Sequence, residues 1–245
     1  MRIEQELAFV LHARHWRETS LLVDVLTQQY GRVGLVARGV QSPRKQLMRA
    51  ALQPLQNIVF DAQRRGELAT LRHVETVDIA PRLRGIAIAA GFYINELCVR
   101  LLPRDVALME GYAAYAQARA CLGDADVPTA WIVRRFERDL LLACGFGLDF
   151  MQDADGDAVE ANAMYWLDPL AGPRRWRLNA QSTATPAVQG AVLHAFARDD
   201  VLSSEQLNAL RIPMRNVILH HLGGQRLRSW DIAKRLNMKP SDYIG

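Results

Sequence analysis

Cysteine is nearly absent: Cys98, Cys121 and Cys144 are the only three in 245 residues, and none forms a CxxC pair. A disulfide framework and a thiolate zinc site are both unsupported by an odd number so widely spaced, and buried free thiols in a reducing compartment are expected. No apolar run approaches the roughly 20 residues of a membrane span, and no charged leader followed by an apolar stretch opens the chain. A cytoplasmic protein with no membrane partner is therefore expected. The chain also lacks a GxxxxGK phosphate loop, a GxGxxG after a strand, a GxSxG elbow and an HExxH helix. Nothing places a nucleophile beside a base. These absences argue against an enzyme and against a cofactor.

The most telling absence is of acid. From Val25 to Phe60, thirty-six residues, there is no Asp or Glu, while Arg32, Arg38, Arg44, Lys45 and Arg49 are present. Bare cations suit a polyanion, because Lys and Arg displace the counterions condensed on a phosphate backbone. Net charge is +4 but uneven: eleven cations against eight acids over residues 1–80, eight against thirteen over 81–172, and eleven against five over 173–245. Any polyanion site should involve the basic ends rather than the acidic middle.

Residues 5–78 read as strands separated by turn signals about every ten residues. Leu7, Phe9 and Leu11 alternate with Ala8, Val10 and His12; Thr19 to Leu26 and Val33 to Ala37 follow. Gly39 and Ser42-Pro43 open a connection ending near Leu52. Leu55 to Phe60 and Leu68 to Val77 complete five strands, with Arg64-Arg65-Gly66 as a hairpin turn. Five strands of this length fit an OB-type β-barrel with a basic rim. Phe9 and Phe60 are expected in its core. Exposed aromatics are few, so the rim should hold phosphates and leave bases free.

At Pro81 the period changes to helical, with Ile86, Ala89, Ala90, Tyr93, Ile94 and Leu97 at three- and four-residue steps. Helices are expected over about 105–122 and from Thr129 to Cys144, the last closed by Gly145. Residues 149–168 are acidic. Tyr165-Trp-Leu and Arg175-Trp-Arg-Leu178 suggest a hairpin, and helical pieces broken by Pro213 and Gly223-Gly224 run to about residue 238. The fold class is α+β: a barrel domain over 1–80 and a mainly helical domain over 81–245, with the acidic loop and hairpin at 149–180.

The chemistry outside the barrel is thinner. His220 and His221 are adjacent and project about 100° apart on a helix, a poor chelating geometry. Asp153-Ala-Asp-Gly-Asp157 resembles the start of a calcium loop, but its glycine falls at the fourth position and Met164 stands at the twelfth. A metal-dependent nuclease would have to rely on Asp153, Asp155 and Asp157. On the Thr129–Cys144 helix, Val133, Phe136, Leu140 and Cys144 form one stripe and Trp131, Arg134 and Arg138 another. That second stripe reads either as a solvated, snorkelling face or as a groove for an acidic peptide ending in a hydrophobic residue. Arg211 to Lys239 is strongly basic, and is either a second polyanion surface or a solvated helical face.

Ala8 to Gly39 (AFVLHARHWRETSLLVDVLTQQYGRVGLVARG), Ala51 to Pro54, Arg65 to Glu75, GFYINEL at Gly91 to Leu97, RRFERDLLLACGFGLDF at Arg134 to Phe150, and HLGGQRLRSWDI at His221 to Ile232 together resemble the RecO family of recombination mediators. The resemblance spans nearly the whole chain in the same order. It implies an N-terminal OB-fold, a helical domain, no enzymatic turnover and a place on the nucleoid. It further implies binding of single- and double-stranded DNA, ATP-free annealing, and work with RecR, and in many bacteria RecF, to load RecA onto strands coated by the single-strand binding protein SSB. Carried over, the DNA-binding positions are Arg32, Arg38, Arg44, Lys45 and Arg49. The family's Arg134-Arg135-Phe136-Glu137 motif falls on the helix whose Trp131, Arg134 and Arg138 stripe is then the expected SSB-tail site, with Arg134 foremost. Many members carry a four-cysteine zinc ribbon; residues 149–180 here contain no cysteine, so no metal is inherited. The residues alone also admit an OB-containing RNA-binding or ribosome-associated module, because composition does not separate RNA from DNA.

Overall fold

The computed structural model describes residues 1–40, 42, 45–177 and 186–235. Its described residues form two compact units, Met1–Arg84 with Gly91–Gly123, and Gly85–Ala90 with the described residues from Asp124 onward. The expected boundary falls after residue 80, whereas packing also gathers Gly91–Gly123 with the barrel.

In the first unit β1 (Arg2–Trp16), β2 (Ser20–Thr27), β3 (Gly31–Ala37), β4 (Asn57–Arg64) and β5 (Leu68–Thr76) close into a five-stranded, OB-like barrel in the order β1-β2-β3-β5-β4. Only the β3–β5 pair is parallel. The long β1 pairs with both β2 and β4, bending at irregularities near Ile3/Glu6 and Val10/His12. Alternate β-branched and aromatic residues, among them Val10, Val23, Val33, Ile58 and Phe60, point inward and fill the interior. Phe9 is a correction. The same alternation that puts Ala8 and Val10 inside turns Phe9 outward, where its ring lies 5.1 Å from both Tyr112 and Tyr115. A short α1 (Gln46–Ala51) interrupts the connection after Gly39 and contributes Ala51 to the barrel core, with Leu52 beside it. Six residues give too few turns for a helical period to show in the sequence.

α2 (Ile86–Leu101) buries Tyr93, Ile94 and Leu97 as its periodicity predicts. α3 starts later than expected, at Met109, and ends at Cys121. It is fastened to the barrel by Arg119, whose guanidinium forks onto Asp78 at 2.7 and 2.8 Å and lies over the Phe9 ring.

The second unit comprises α4 (Thr129–Ala143), β6 (Met164–Asp168), β7 (Gly172–Arg175), β8 (Val188–Gln189), α5 (Gly190–Ala197), α6 (Ser204–His221) and α7 (Ser229–Arg235). The expected hairpin is the β6–β7 part of a three-stranded sheet ordered β7-β6-β8. Its second strand begins at Gly172 rather than Arg175, because Asp168 Oδ1 accepts from the amides of Leu170 and Ala171 and tightens the turn. Pro213 does not break the chain here. α6 runs through it, opened by a Ser203–Gln206 capping box, and Pro213 is buried inside the helix.

Candidate nucleic-acid interface

The cations of the barrel sort into two groups by what already holds them. At one end, the Leu102–Leu108 connection is strapped across β3. Asp105 donates its amide to the Arg32 carbonyl at 3.1 Å, and Arg32 Nε donates to the Leu102 carbonyl at 3.1 Å. Asp24 sits between Arg32 at 3.5 Å and Arg104 at 3.0 Å. Arg64 forks onto Asp105 through two 2.6 Å bonds, and this pairing holds the Asp105 carboxyl below its ordinary range. Burial lowers the Arg32 pKa, with the neighbouring Arg104 acting in the same direction. Arg32, expected on the DNA-binding rim, is thus committed to the strap. Its Asp24 partner stands just before the acid-free run.

At the other end the cations are differently placed. Arg38, Lys45 and Arg49 are all exposed. Lys45 Nζ donates to the Arg38 carbonyl at 3.0 Å, which holds the β3–α1 loop closed without consuming any acid. Arg49 lies in the last turn of α1. Arg44 lies outside the described residues. The register adds cations that sequence alone did not bring together. β1 pairs Arg14 with Leu22 and Trp16 with Ser20, while β2 pairs Leu21 with Ala37. The exposed β1–β2 tip carrying Arg14 and Arg17 therefore neighbours Arg38. β5 runs parallel to β3 with Thr70 beside Val36, so exposed Arg72 lies toward the same end. Cross-strand register is the missing signal, and it exists only once strands are paired.

In the second unit, the stripe expected to receive a peptide divides. Arg134 is only 2% exposed. Its guanidinium pairs with the buried Glu137 at 2.8 Å and donates to the Arg211 carbonyl at 3.3 Å, facing α6 rather than solvent. The groove expectation therefore requires correction at Arg134. A polar residue one helical turn from a glutamate satisfies its charge internally, and the helix buries both. Trp131 and Arg138 do come together: Trp131 meets Phe196 edge-on at 6.2 Å, and Arg138 lies 5.2 Å over the same ring. Arg138 also pairs with Asp139 and Asp199, each at 2.8 Å, and Arg135 reaches Asp199 at 3.0 Å.

The C-terminal cations are largely engaged. Arg215 lies 3.9 Å over the Trp230 ring, and Arg226 is 4.0 Å from Asp231. Lys239 falls outside the described residues. Asp153 Oδ1 accepts the amides of Asp155 and Asp157, so the acidic loop is organised by its own backbone. Among the described residues no group of three or more His, Cys, Asp or Glu side chains is placed to hold a metal ion, and no helix is long and apolar enough to cross a membrane.

Comparison with known proteins covers the chain almost end to end. Residues 1–80 match the family described as Recombination protein O N terminal, and residues 82–231 match Recombination protein O C terminal. A protein named DNA repair protein RecO from Xanthomonas euvesicatoria pv. vesicatoria is 54% identical over 242 residues, covering 96% of this chain and 100% of the relative. One of the same name from Xanthomonas oryzae pv. oryzae is 54% identical over 239 residues, covering 96% and 98%. Another from Xylella fastidiosa is 52% identical over 237 residues, covering 95% and 96%. The chain belongs to the recombination protein O family.

Proposed function

We propose that this chain is a non-enzymatic mediator of recombinational DNA repair. It binds single- and double-stranded DNA, anneals complementary strands without ATP, and captures the acidic C-terminal tail of SSB. Through RecR, with or without RecF, it assists RecA loading onto SSB-coated single strands. The observation that carries this reading is the exposed cationic end of an OB-like barrel, in a chain belonging to the recombination protein O family. Cations there neutralise two phosphate backbones at once and so lower the repulsion between approaching strands. The tail contact centres on Trp131 and Arg138, over the Phe196 ring, with Arg134 supporting α4 from inside. A carboxylate there would compete with Asp139 and Asp199 for Arg138.

The direct test is ATP-free annealing of complementary oligonucleotides coated with intact SSB or with SSB lacking its tail. Fast annealing with intact SSB and failure with the truncated form are expected. No annealing even on naked strands would overturn the reading, and a strong preference for structured RNA over single-stranded DNA at matched salt would favour the RNA-binding alternative. A second prediction separates the two groups of cations. Arg38→Glu with Lys45→Glu should weaken single-strand binding at least tenfold and reduce the slope of log K against log salt by about 1.4, from about 0.7 per lost phosphate contact. Arg32→Gln should leave that slope unchanged, because Arg32 is already held by Asp24 and Leu102.

A further inference from the structure

We infer that the tip of the β1–β2 hairpin is a single-strand-selective subsite, in which the Trp16 indole stacks on one unpaired base while the surrounding arginines hold its flanking phosphates. This rests on the DNA-binding reading and adds to it a contact to a base.

The argument begins with alternation. Ala13 packs against the barrel core and pairs with Val23, so Arg14 and Trp16 project from the opposite, outer face of β1. Trp16 stands opposite Ser20, and Ala37 stands opposite Leu21, so one more step along β3 brings Arg38 alongside Ser20. Arg14, Trp16 and Arg38 therefore lie at one end of a sheet whose strands are about 4.8 Å apart. This sheet is divided. Toward Asp24, Arg32 and Gly34 it is crossed by the strap, with Arg104 Nη1 lying 2.9 Å from where a Gly34 Cβ would sit. Toward the hairpin tip, residues 14–19 are exposed in an unbroken run.

The groups at this end are also unspent. The side chains of Arg14, Arg17 and Arg38 make no hydrogen bond or ion pair among the described residues, in contrast to Arg32, Arg64, Arg104 and Arg119. Arg17 holds the tip in a left-handed turn at φ 55°. Trp16 is 38% exposed. Glu18 is the one acid of the tip. A partly exposed indole flanked by arginines fits a base and its two phosphates better than a protein or lipid partner, because the same short segment offers an aromatic ring and positive charge. Duplex DNA keeps its bases stacked internally and leaves this ring idle. The subsite thus favours unpaired DNA, whereas the phosphate-holding cations accept either form.

The test uses the full chain, with fluorescence anisotropy on an oligothymidylate and on an abasic strand of equal length and charge. The intact protein should bind the base-bearing strand about tenfold tighter, the order of one stacked base. Trp16→Ala should bring the two affinities together without altering the abasic affinity or its salt slope, and Trp16→Phe should keep most of the difference. Thermal melting of both variants should match the intact protein, since Trp16 is not part of the core. A preference that survives in Trp16→Ala, or equal binding of both strands by the intact protein, overturns this subsite alone. Binding to neither strand at low salt overturns the proposed function itself.

Discussion

Arg134→Ala is expected to lower the stability of the second unit by about 3–5 kcal/mol, the cost of leaving one charge of a buried pair without its partner. The thermal midpoint should fall by roughly 10 °C. The cause is geometric. The Glu137 carboxylate is 1% exposed and faces the Arg134 guanidinium at 2.8 Å, with the Arg211 carbonyl as a further acceptor for Arg134. Arg211 is itself pushed below its ordinary pKa, chiefly by burial and also by Arg134. Arg134→Met with Glu137→Leu should recover most of the loss, because removing both charges leaves neither one buried without its opposite. Arg138→Ala offers the contrast: a smaller loss of stability, because Asp139 and Asp199 are partly exposed, together with weaker capture of an acidic tail peptide. Loss of peptide binding in Arg134→Ala at an unchanged midpoint would show that its guanidinium reaches the peptide in the working state.

The second large effect is expected at Gly31. Its φ of 66° is left-handed, and a Cβ there would stand 1.9 Å from the Val106 carbonyl oxygen. Gly31→Ala should therefore cost about 1–2 kcal/mol for the backbone conformation alone. Displacement of the strap raises the total to about 3 kcal/mol, visible as a lowered urea midpoint and faster amide exchange over residues 102–108. Gly34→Ala is the control. Its Cβ would meet Leu68 Cδ2 at 2.7 Å and Arg104 Nη1 at 2.9 Å, both ends of flexible side chains that can swing aside. Equal losses in the two variants would mean that the strap is not what Gly31 protects.

The barrel was legible because its signal is local. Alternation over β1 to β5 and the turn residues between them identify the strands, and five of them at that spacing suit an OB-like closure. Charge was legible only as a run. The acid-free stretch from Val25 to Phe60 contains both Arg32 and Arg38, yet their fates diverge for reasons far away in sequence: Arg32 meets Leu102, seventy residues on, and Asp24, just outside the run. Arg134 was misread for a related reason. The stripe of Val133, Phe136 and Leu140 is buried as expected, but Ile132 and Leu141 are buried as well, so α4 is enclosed on more sides than one stripe suggests. An Arg–Glu pair at i,i+3 looks the same in sequence whether it faces water or α6. Trp16 shows the converse limit: as a lone aromatic in a strand it carries no direction until Ser20 and Arg38 are placed beside it.

The strap also bears on how the chain acquires its structure during synthesis. β5 is complete at Thr76, so every strand of the barrel has left the ribosome well before Leu102 does. Until residues 102–106 emerge, Asp24, Arg32 and Arg64 lack their contacts to Arg104, Leu102 and Asp105, and until α3 follows, Phe9 lacks the Tyr112 and Tyr115 rings. The nascent barrel must therefore wait, closed but incompletely covered, for a segment that carries no strand of its own. A connection of this kind tolerates little change in length, unlike most surface loops. An insertion between Leu102 and Asp105 would slide Asp105 off Arg32 and Arg64 together, and a barrel intact in every strand would be left without its clasp.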